Sequence, residues 1–208
     1  MADGVKRRYD STRRRAQAAE TRRQILEAAQ RLFQRDGYAA TTVAAIAKEA
    51  GVATKTVYLA FDTKSGVLRA LWHLLLRGDE DDVPVGGRAW YLDLLAEPDP
   101  ERRIERLARQ SRLVKERSAA LMEVIRRGAD ADADAAALWD RIQTDFHGLQ
   151  RGIVETLPLR DGLDVDQATD ITWALNNPDV WQLLVVRRGW APAQWERWFA
   201  ASLRAQLL

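Results

Sequence analysis

The residues best suited to chemistry lie in one stretch, residues 42–61, with the sequence TVAAIAKEAGVATKTVYLAF. In it, Thr54, Lys55 and Thr56 begin a short segment with helical spacing of apolar residues, and Tyr58 follows one turn after Lys55. Hydroxyl and ammonium groups at the exposed N-terminal end of a helix are the groups that reach base edges and phosphates in a DNA groove. This stretch therefore predicts a nucleic-acid interface.

The spacing of three apolar or small residues predicts how this stretch folds. Ala47 lies four residues before Gly51, and Val57 lies six residues after it. Two helices that cross steeply need a small residue at their closest approach, and the turn between them needs a residue that tolerates positive φ. Val57 would then face back to the first helix. The pattern predicts a helix-turn-helix whose second helix, 54–61, enters the major groove.

Further groups would contact the phosphate backbone. Thr42 and Lys64 stand at the starts of two predicted helices, where unpaired N–H groups favour anions. A basic arm precedes the first helix, and its cations would add salt-dependent affinity, in the minor groove if the arm reaches it; these are Lys6, Arg7, Arg8, Arg13, Arg14 and Arg15. The arm could equally be only a solvated tail. The expected DNA-binding residues are Thr42, Thr54, Lys55, Thr56, Tyr58, Lys64, Arg13, Arg14 and Arg15.

Helical periodicity extends along almost the whole chain, so the expected fold is all-α with about nine helices and no strands. Asp36-Gly37 ends the first helix, and Thr42, Thr54, Asp62 or Thr63, and Asp164 are expected caps. Pro192 suits a helix start, and Pro178 should kink or split the helix around it. The predicted helices cover about 15–35, 42–50, 54–61, 63–77, 88–96, 100–117, 118–128, 134–157, 165–187 and 192–207.

Composition limits the function classes. The 208 residues contain no cysteine, which excludes disulfides, thiolate metal sites and cysteine nucleophiles. Residues 1–64 carry a net charge of +6 and residues 65–208 a net charge of −4, within a total of +2. A basic front and an acidic rear indicate a polyanion partner for the first part. The longest uncharged stretch, Gly37–Ala47, is too short to span a membrane, and we expect a cytoplasmic protein.

No pattern for catalysis or for a metal ion stands out. His73 and His147 are distant in sequence, and the aspartates at 130, 132 and 134 lack the glycine and glutamate that a calcium loop needs further on. Nucleophile-elbow, P-loop and dinucleotide-binding patterns are absent. We therefore expect no catalytic residue, no metal site, no cofactor and no enzymatic activity.

The front of the chain contains a further, longer pattern: ILEAAQRLF at 25–33, Gly37, Thr42, IAKEAGV at 46–52, YLAF at 58–61, and Lys64 followed by Leu68. In this pattern the chain resembles the TetR-type transcriptional repressors. The resemblance covers roughly residues 16–70 and departs from the family at Ala60 and Gly66, the second of which should weaken the first turn of its helix. It implies a homodimer joined through the last two helices, a palindromic double-stranded DNA operator and a small-molecule effector bound in the rear domain.

Eight tryptophans, all from residue 72 onward, distinguish the rear of the chain. Aromatic residues dominate both cores and interfaces, and they also line pockets for apolar ligands. Candidate pocket residues are Trp139, Phe146, Trp173 and Asn177, although Asn177 is better explained as a cap beside Pro178. Candidate dimer-interface residues, from their spacing on the last helix, are Trp195, Trp198, Phe199 and Leu203.

The sequence thus predicts a basic flexible arm at 1–15, a helix-turn-helix domain at 16–62 and a helical effector-binding and dimerisation domain at 63–208. The expected function is that of a ligand-responsive regulator, most simply a repressor. Two alternatives remain open: a helical protein-interaction module with a basic surface, and an architectural DNA binder without a ligand.

Overall fold

The computed structural model describes residues 3–78 and 83–208, and all regular secondary structure in these residues is helical. Helices α1–α4 are Asp3–Ala40, Val43–Glu49, Thr54–Phe61 and Lys64–Arg77; α5–α7 are Ala89–Leu95, Pro100–Ala129 and Ala133–Val154; α8–α10 are Val165–Leu175, Pro178–Trp181 and Pro192–Leu207. A 3₁₀ turn covers Val85–Gly87, and a π-helical segment covers Gln182–Arg187. The all-α fold predicted from periodicity is confirmed.

The chain divides into two compact units. One consists of residues 1–72 with 124–136, and the other of residues 73–123 with 137–208. The first unit therefore includes the last turns of α6 and the start of α7 in addition to the predicted helix-turn-helix. No helix in the described ranges is long and apolar enough to cross a membrane.

The first unit is built around the buried face of α1. Ile25, Ala28, Ala29 and Phe33 have no exposed surface, and Ile46 of α2 and Val57 of α3 are buried with them. Helix α1 begins at Asp3, well before the predicted start near residue 15, so residues 3–15 continue it. Gly37 interrupts the helix at φ 80°, which places the break where Asp36-Gly37 was predicted to end it.

The turn between α2 and α3 has the hydrogen bonds of a glycine-terminated helix. The Val52 amide donates to the Ala47 carbonyl (3.0 Å), and the Gly51 amide donates to the Lys48 carbonyl (3.2 Å). These are the two bonds of a Schellman motif, whose penultimate residue must be left-handed. Gly51 has φ 69°, as the turn requires. Ala47, 2% exposed, is the small buried residue that the sequence placed at the helix crossing.

The second unit has a separate core on α5–α10. Trp195, Phe199 and Leu203 of α10 are fully buried. Trp195 stacks on Phe199 with ring centroids 4.9 Å apart and meets Trp181 edge-on at 5.1 Å. Such aromatic pairs add to the large apolar area that the rings remove from water.

Several predicted boundaries need correction. The segments 100–117 and 118–128 form the single helix α6, because nothing between them breaks the helical pattern. Thr54 is not a cap: the N-cap of α3 is Ala53, and no side chain caps that helix. Thr42, Thr63 and Asp164 do cap, since their side-chain oxygens accept from the amides of Ala45, Gly66 and Gln167. Pro178 splits its helix as predicted, with Asn177 as the cap of α9.

Replacing Gly51 with alanine should lower the free energy of unfolding by about 1–2 kcal/mol, the cost of a left-handed non-glycine residue. An added Cβ would meet no atom within 4 Å, so the loss reports conformation and not a clash. Gly148→Ala is the matched control, because Gly148 lies in α7 with the same open surroundings and no positive φ. It should gain about 0.5–1 kcal/mol. Urea titration checks both, and a loss at both sites or at neither would contradict this account of the turn.

Candidate nucleic-acid interface and a buried cavity

Helix α3 buries one side and exposes the other. Val57 and Phe61 are 1% and 7% exposed, whereas Tyr58 and Leu59 are 51% and 79% exposed. Thr54 and Lys55 are also exposed, and Thr56 is half-buried at the edge of the packed side. The structure thus brings the predicted polar residues together on one helix end, next to Leu59, an exposed apolar residue that sequence reasoning missed. The sequence could have indicated the exposure of Leu59, because this residue follows Tyr58 and lies on the side of the helix opposite Val57 and Phe61.

Two contacts hold the C-terminal end of α3. The guanidinium of Arg22 donates from Nη1 to the Ala60 carbonyl (2.9 Å) and lies 4.2 Å from the centroid of the Phe61 ring. A Cβ built on Gly66 would come within 2.0 Å of the Phe61 carbonyl oxygen. Gly66 is therefore required by the close approach of α4 to the end of α3, which outweighs the weaker first turn expected from its propensity.

The helix starts of this unit keep hydrogen-bond donors available. The Thr42 side-chain oxygen accepts from the Ala45 amide (3.1 Å), which leaves its own hydroxyl hydrogen free to donate to a phosphate. Neither α2 nor α3 has an acidic residue in its first turn. No acidic side chain of its own first turn therefore offsets the positive end of either helix dipole.

The remaining predicted DNA contacts differ in their surroundings. Lys64 is half-buried, and its amine donates to the Tyr38 carbonyl (3.0 Å) and lies 4.0 Å from the Tyr38 ring. Its amine thus has an intramolecular role that the sequence did not indicate. Arg13, Arg14 and Arg15 are exposed on α1. The side chains of Lys6, Arg7 and Arg8 lie outside the described residues.

The end of α6 and the start of α7 are part of the same unit. The Ser65 hydroxyl donates to an Asp134 carboxylate oxygen (2.9 Å). A Cβ on Gly128 would lie 3.2 Å from Tyr38, so the tyrosine ring packs closely on α6. Burial, followed by the charges of Asp132 and Asp134, raises the pKa of Tyr38 far above its usual range. Tyr38 is therefore a neutral packing residue that joins α1, α4 and α6.

The second unit contains a small cavity with a volume of about 80 Å³. Of the four residues expected to contact a ligand, Phe146 lines this cavity, whereas Trp139, Trp173 and Asn177 are not among its described lining residues. The Trp173 ring instead meets the His147 ring (6.3 Å), and the Asn177 side chain accepts from the Asp179 amide. The lining residues are Leu76, Val85, Trp90, Tyr91, Leu107, Gln110, Ser111, Val114, Lys115, Phe146, Leu149, Gln150, Ile153 and Asn176.

Lys115 is the functional candidate that sequence reasoning missed. Its amine is buried and donates to both the backbone carbonyl and the side-chain Oδ1 of Asn176 (2.8 and 2.6 Å). The amine also lies 5.0 Å from the Trp195 ring and 5.6 Å from the Phe146 ring. Burial lowers the pKa of Lys115 to about 7. The sequence did contain a signal for the burial of Lys115, because this residue occupies one of the positions, three or four apart, at which α6 carries buried residues.

Three of the four residues expected at a dimer interface are buried within a single chain. Trp195, Phe199 and Leu203 are 0% exposed within a single chain, so they pack its core and offer no surface to a partner. Only Trp198 keeps partial exposure, with its ring against Trp190 (6.1 Å). The spacing of apolar residues on α10 identified a buried face correctly but could not tell what covers it.

Residues 25–71 match the family model of the bacterial regulatory proteins of the tetR family. The chain is 46% identical over 59 residues to the HTH-type transcriptional regulator TtgR of Pseudomonas putida, and 41% identical over 58 residues to AcrR of Shigella flexneri. The match to TtgR covers 28% of this chain and 28% of TtgR, and the match to AcrR covers 28% and 27%. The chain thus matches little more than a quarter of each curated relative's length.

The whole fold is also similar to that of solved structures. NalD, the secondary repressor of the MexAB-OprM multidrug efflux pump in Pseudomonas aeruginosa, superposes with a TM-score of 0.71 at 20% identity, over 92% of this chain and 98% of NalD. A TetR transcription regulator from Haloarcula marismortui gives 0.65 at 17% identity, over 91% and 100%. These likenesses establish a shared fold.

Lys115→Met should stabilise the protein most at pH 6–7. The folded-state pKa, about 7, lies below the unfolded value near 10.5, so between these pH values the unfolded chain binds more protons and wild-type stability rises with pH. The advantage of methionine should therefore shrink by about 4 kcal/mol on going from pH 6 to pH 10. Arg109→Met, exposed on the same helix, should show a constant difference. Urea unfolding of the three proteins tests this, and a pH-independent difference for Lys115→Met would disprove it.

Proposed function

We propose that this chain, whose N-terminal module is that of the tetR family, is a ligand-responsive transcriptional repressor that binds a palindromic DNA operator as a homodimer. The carrying observation is the exposed end of α3 with Thr54, Lys55 and Tyr58, within a helix-turn-helix that matches the family over residues 25–71. These side chains would contact base edges and phosphates in the major groove. Thr42 and the arginines at 13–15 would bind flanking phosphates.

The proposed homodimer matches the two-fold symmetry of the proposed operator. A two-fold protein matches a palindrome whose half-sites lie about 34 Å apart, or a multiple of that distance. We place the dimer contact on the segment between α9 and α10 and on the open side of α10. Leu183 and Val186, 51% and 61% exposed, are large apolar residues there, and Trp198 lies partly exposed on α10. These residues take the place of the buried Trp195, Phe199 and Leu203.

Effector binding is assigned to the cavity of the second unit. A ligand that prefers one arrangement of the cavity walls would shift the protein towards that arrangement, in proportion to its differential affinity. Helix α6 supplies Ser111 and Lys115 to the cavity and residues 124–129 to the first unit. In the proposed mechanism, ligand binding displaces α6 and alters the spacing of the two DNA-binding modules, so that the operator is released.

The first experiment is to mix purified protein with sheared genomic DNA of its source at about 150 mM salt, recover the bound fragments and sequence them. Enrichment of one short palindrome is the expected result. Binding without enrichment would favour the architectural alternative, because phosphate contacts alone give sequence-independent affinity. No binding would favour the protein-interaction alternative.

Lys55→Ala and Tyr58→Ala should each weaken binding to the recovered palindrome by about 5- to 150-fold, the range for loss of one good contact. Both side chains are exposed and no hydrogen bond within the described residues depends on them, so the dimer should remain intact by size-exclusion chromatography. Lys55→Ala should also reduce the slope of log affinity against log salt by about 1 if the amine contacts a phosphate.

Arg141→Ala is the charge-matched control for Lys55→Ala, because Arg141 is exposed on α7 in the second unit. It removes the same charge from the molecule and should leave operator affinity almost unchanged. Equal losses for both variants would mean that net charge, and not contact at α3, determines affinity. No loss for either variant of α3 would refute the proposed interface.

A further inference from the structure

We infer that the cavity of the second unit binds a small organic acid, whose carboxylate pairs with Lys115 while its apolar body fills the remaining space. This inference rests on the proposed function only in taking the cavity as the effector site. It adds the chemical class of the effector.

The charge balance of the cavity calls for an anion. Among its fourteen described lining residues, Lys115 is the sole basic residue, and none is Asp or Glu. A buried ammonium without a counter-ion is costly, whereas an ion pair with good geometry and further hydrogen bonds recovers much of that cost. A bound carboxylate would turn an uncompensated charge into a neutral pair.

The hydrogen-bonding groups at the cavity also suit a carboxylate. A lysine amine has three donors when charged, and Asn176 accepts two of them, which leaves one for a ligand oxygen. Gln150 is 2% exposed and lines the same cavity, and neither its Nε2 nor its Oε1 has a hydrogen-bond partner among the described residues. The amide nitrogen of Gln150 can donate to the second carboxylate oxygen.

The rest of the lining selects the body of the ligand. Leu107, Val114, Leu149 and Ile153 supply aliphatic walls, and Phe146 and Trp90 supply aromatic ones. A volume of about 80 Å³ is below the roughly 150 Å³ of a cavity that binds benzene, so even a single ring or a short alkyl chain needs some movement of the walls, and a large polycyclic compound needs far more. When the Lys115 amine is protonated, an organic cation would meet like charge, and a neutral molecule would supply no counter-ion.

The pKa of Lys115, about 7, adds a dependence on pH. The one other titratable group in the described lining is Tyr91, and burial raises its pKa above the usual value, so it stays neutral. Above pH 7 the free protein holds a mainly uncharged amine, and binding a carboxylate ion must take up one proton. Affinity for the acid should therefore fall by up to tenfold per pH unit above about 7.

The test measures binding without DNA, by calorimetry, with three acids and their uncharged amides: benzoate, phenylacetate and hexanoate against benzamide, phenylacetamide and hexanamide. At pH 6.5 the wild-type protein should bind at least one acid at least tenfold more tightly than its amide. Lys115→Met should lose this preference, and Arg109→Met, on the exposed side of α6, should retain it. The pH dependence of the wild-type protein is a second measurement that needs no variant.

Equal affinity for every acid and its amide, binding of none of the acids, or an unchanged preference in Lys115→Met would overturn the inference. A wild-type affinity that does not change between pH 7.5 and pH 9.5 would overturn it as well. Because DNA is absent, these outcomes are separate from the proposed function. If the protein binds an acid but recognises no operator, the proposed regulator function is refuted and the organic-acid ligand stands. If neutral molecules alone release the operator, the regulator function stands and the organic-acid ligand is refuted.

Discussion

Helix α6 buries one side along its whole length, and it contributes buried residues to both compact units. The buried residues recur at alternating steps of three and four, which is the period of a helix packed on one side; they are Ile104, Ala108, Ser111, Lys115, Ser118, Met122 and Ile125. Two members of this row lie in different units: Lys115 in the second and Ile125 in the first. Lys115 places an amine where an apolar side chain would ordinarily lie, and Ile125 packs in the first unit near Gly128, the residue on which Tyr38 rests.

The exposed end of α3 is positioned by interactions at the buried side and the ends of the neighbouring helices. Gly51 ends α2 in a left-handed conformation, Arg22 binds the last turn of α3, and Gly66 allows the backbone of α4 to approach Phe61. Each interaction constrains the same short helix of eight residues. A helix of this length is not stable alone in water, so its orientation comes from packing and not from propensity. Packing against the neighbouring helices therefore holds the exposed end of α3 in a defined position.

The second unit shows how the same residue types serve different purposes. Aromatic spacing on α10 suggested a dimer surface, yet Trp195 and Phe199 stack inside one chain at 4.9 Å. Asn177 was a candidate ligand contact and caps α9, while its neighbour Asn176 is buried at 1% exposure and accepts from Lys115. Asn176 ends α8 and Asn177 adopts an extended conformation before α9, so the two neighbouring side chains have different surroundings.

The sequence by itself determined the features that depend on local geometry: the all-α class, the helix-turn-helix around Gly51, the caps at Thr42 and Asp164, and the break at Pro178. Each of these follows from backbone preferences or hydrogen bonds within a few residues. Only the tertiary structure decided that Trp195 belongs to the core, that Gly66 is required by Phe61, and that Lys115 is buried beside Asn176. These facts depend on which elements meet, and residues 61 positions apart in the chain form a contact that no local pattern encodes.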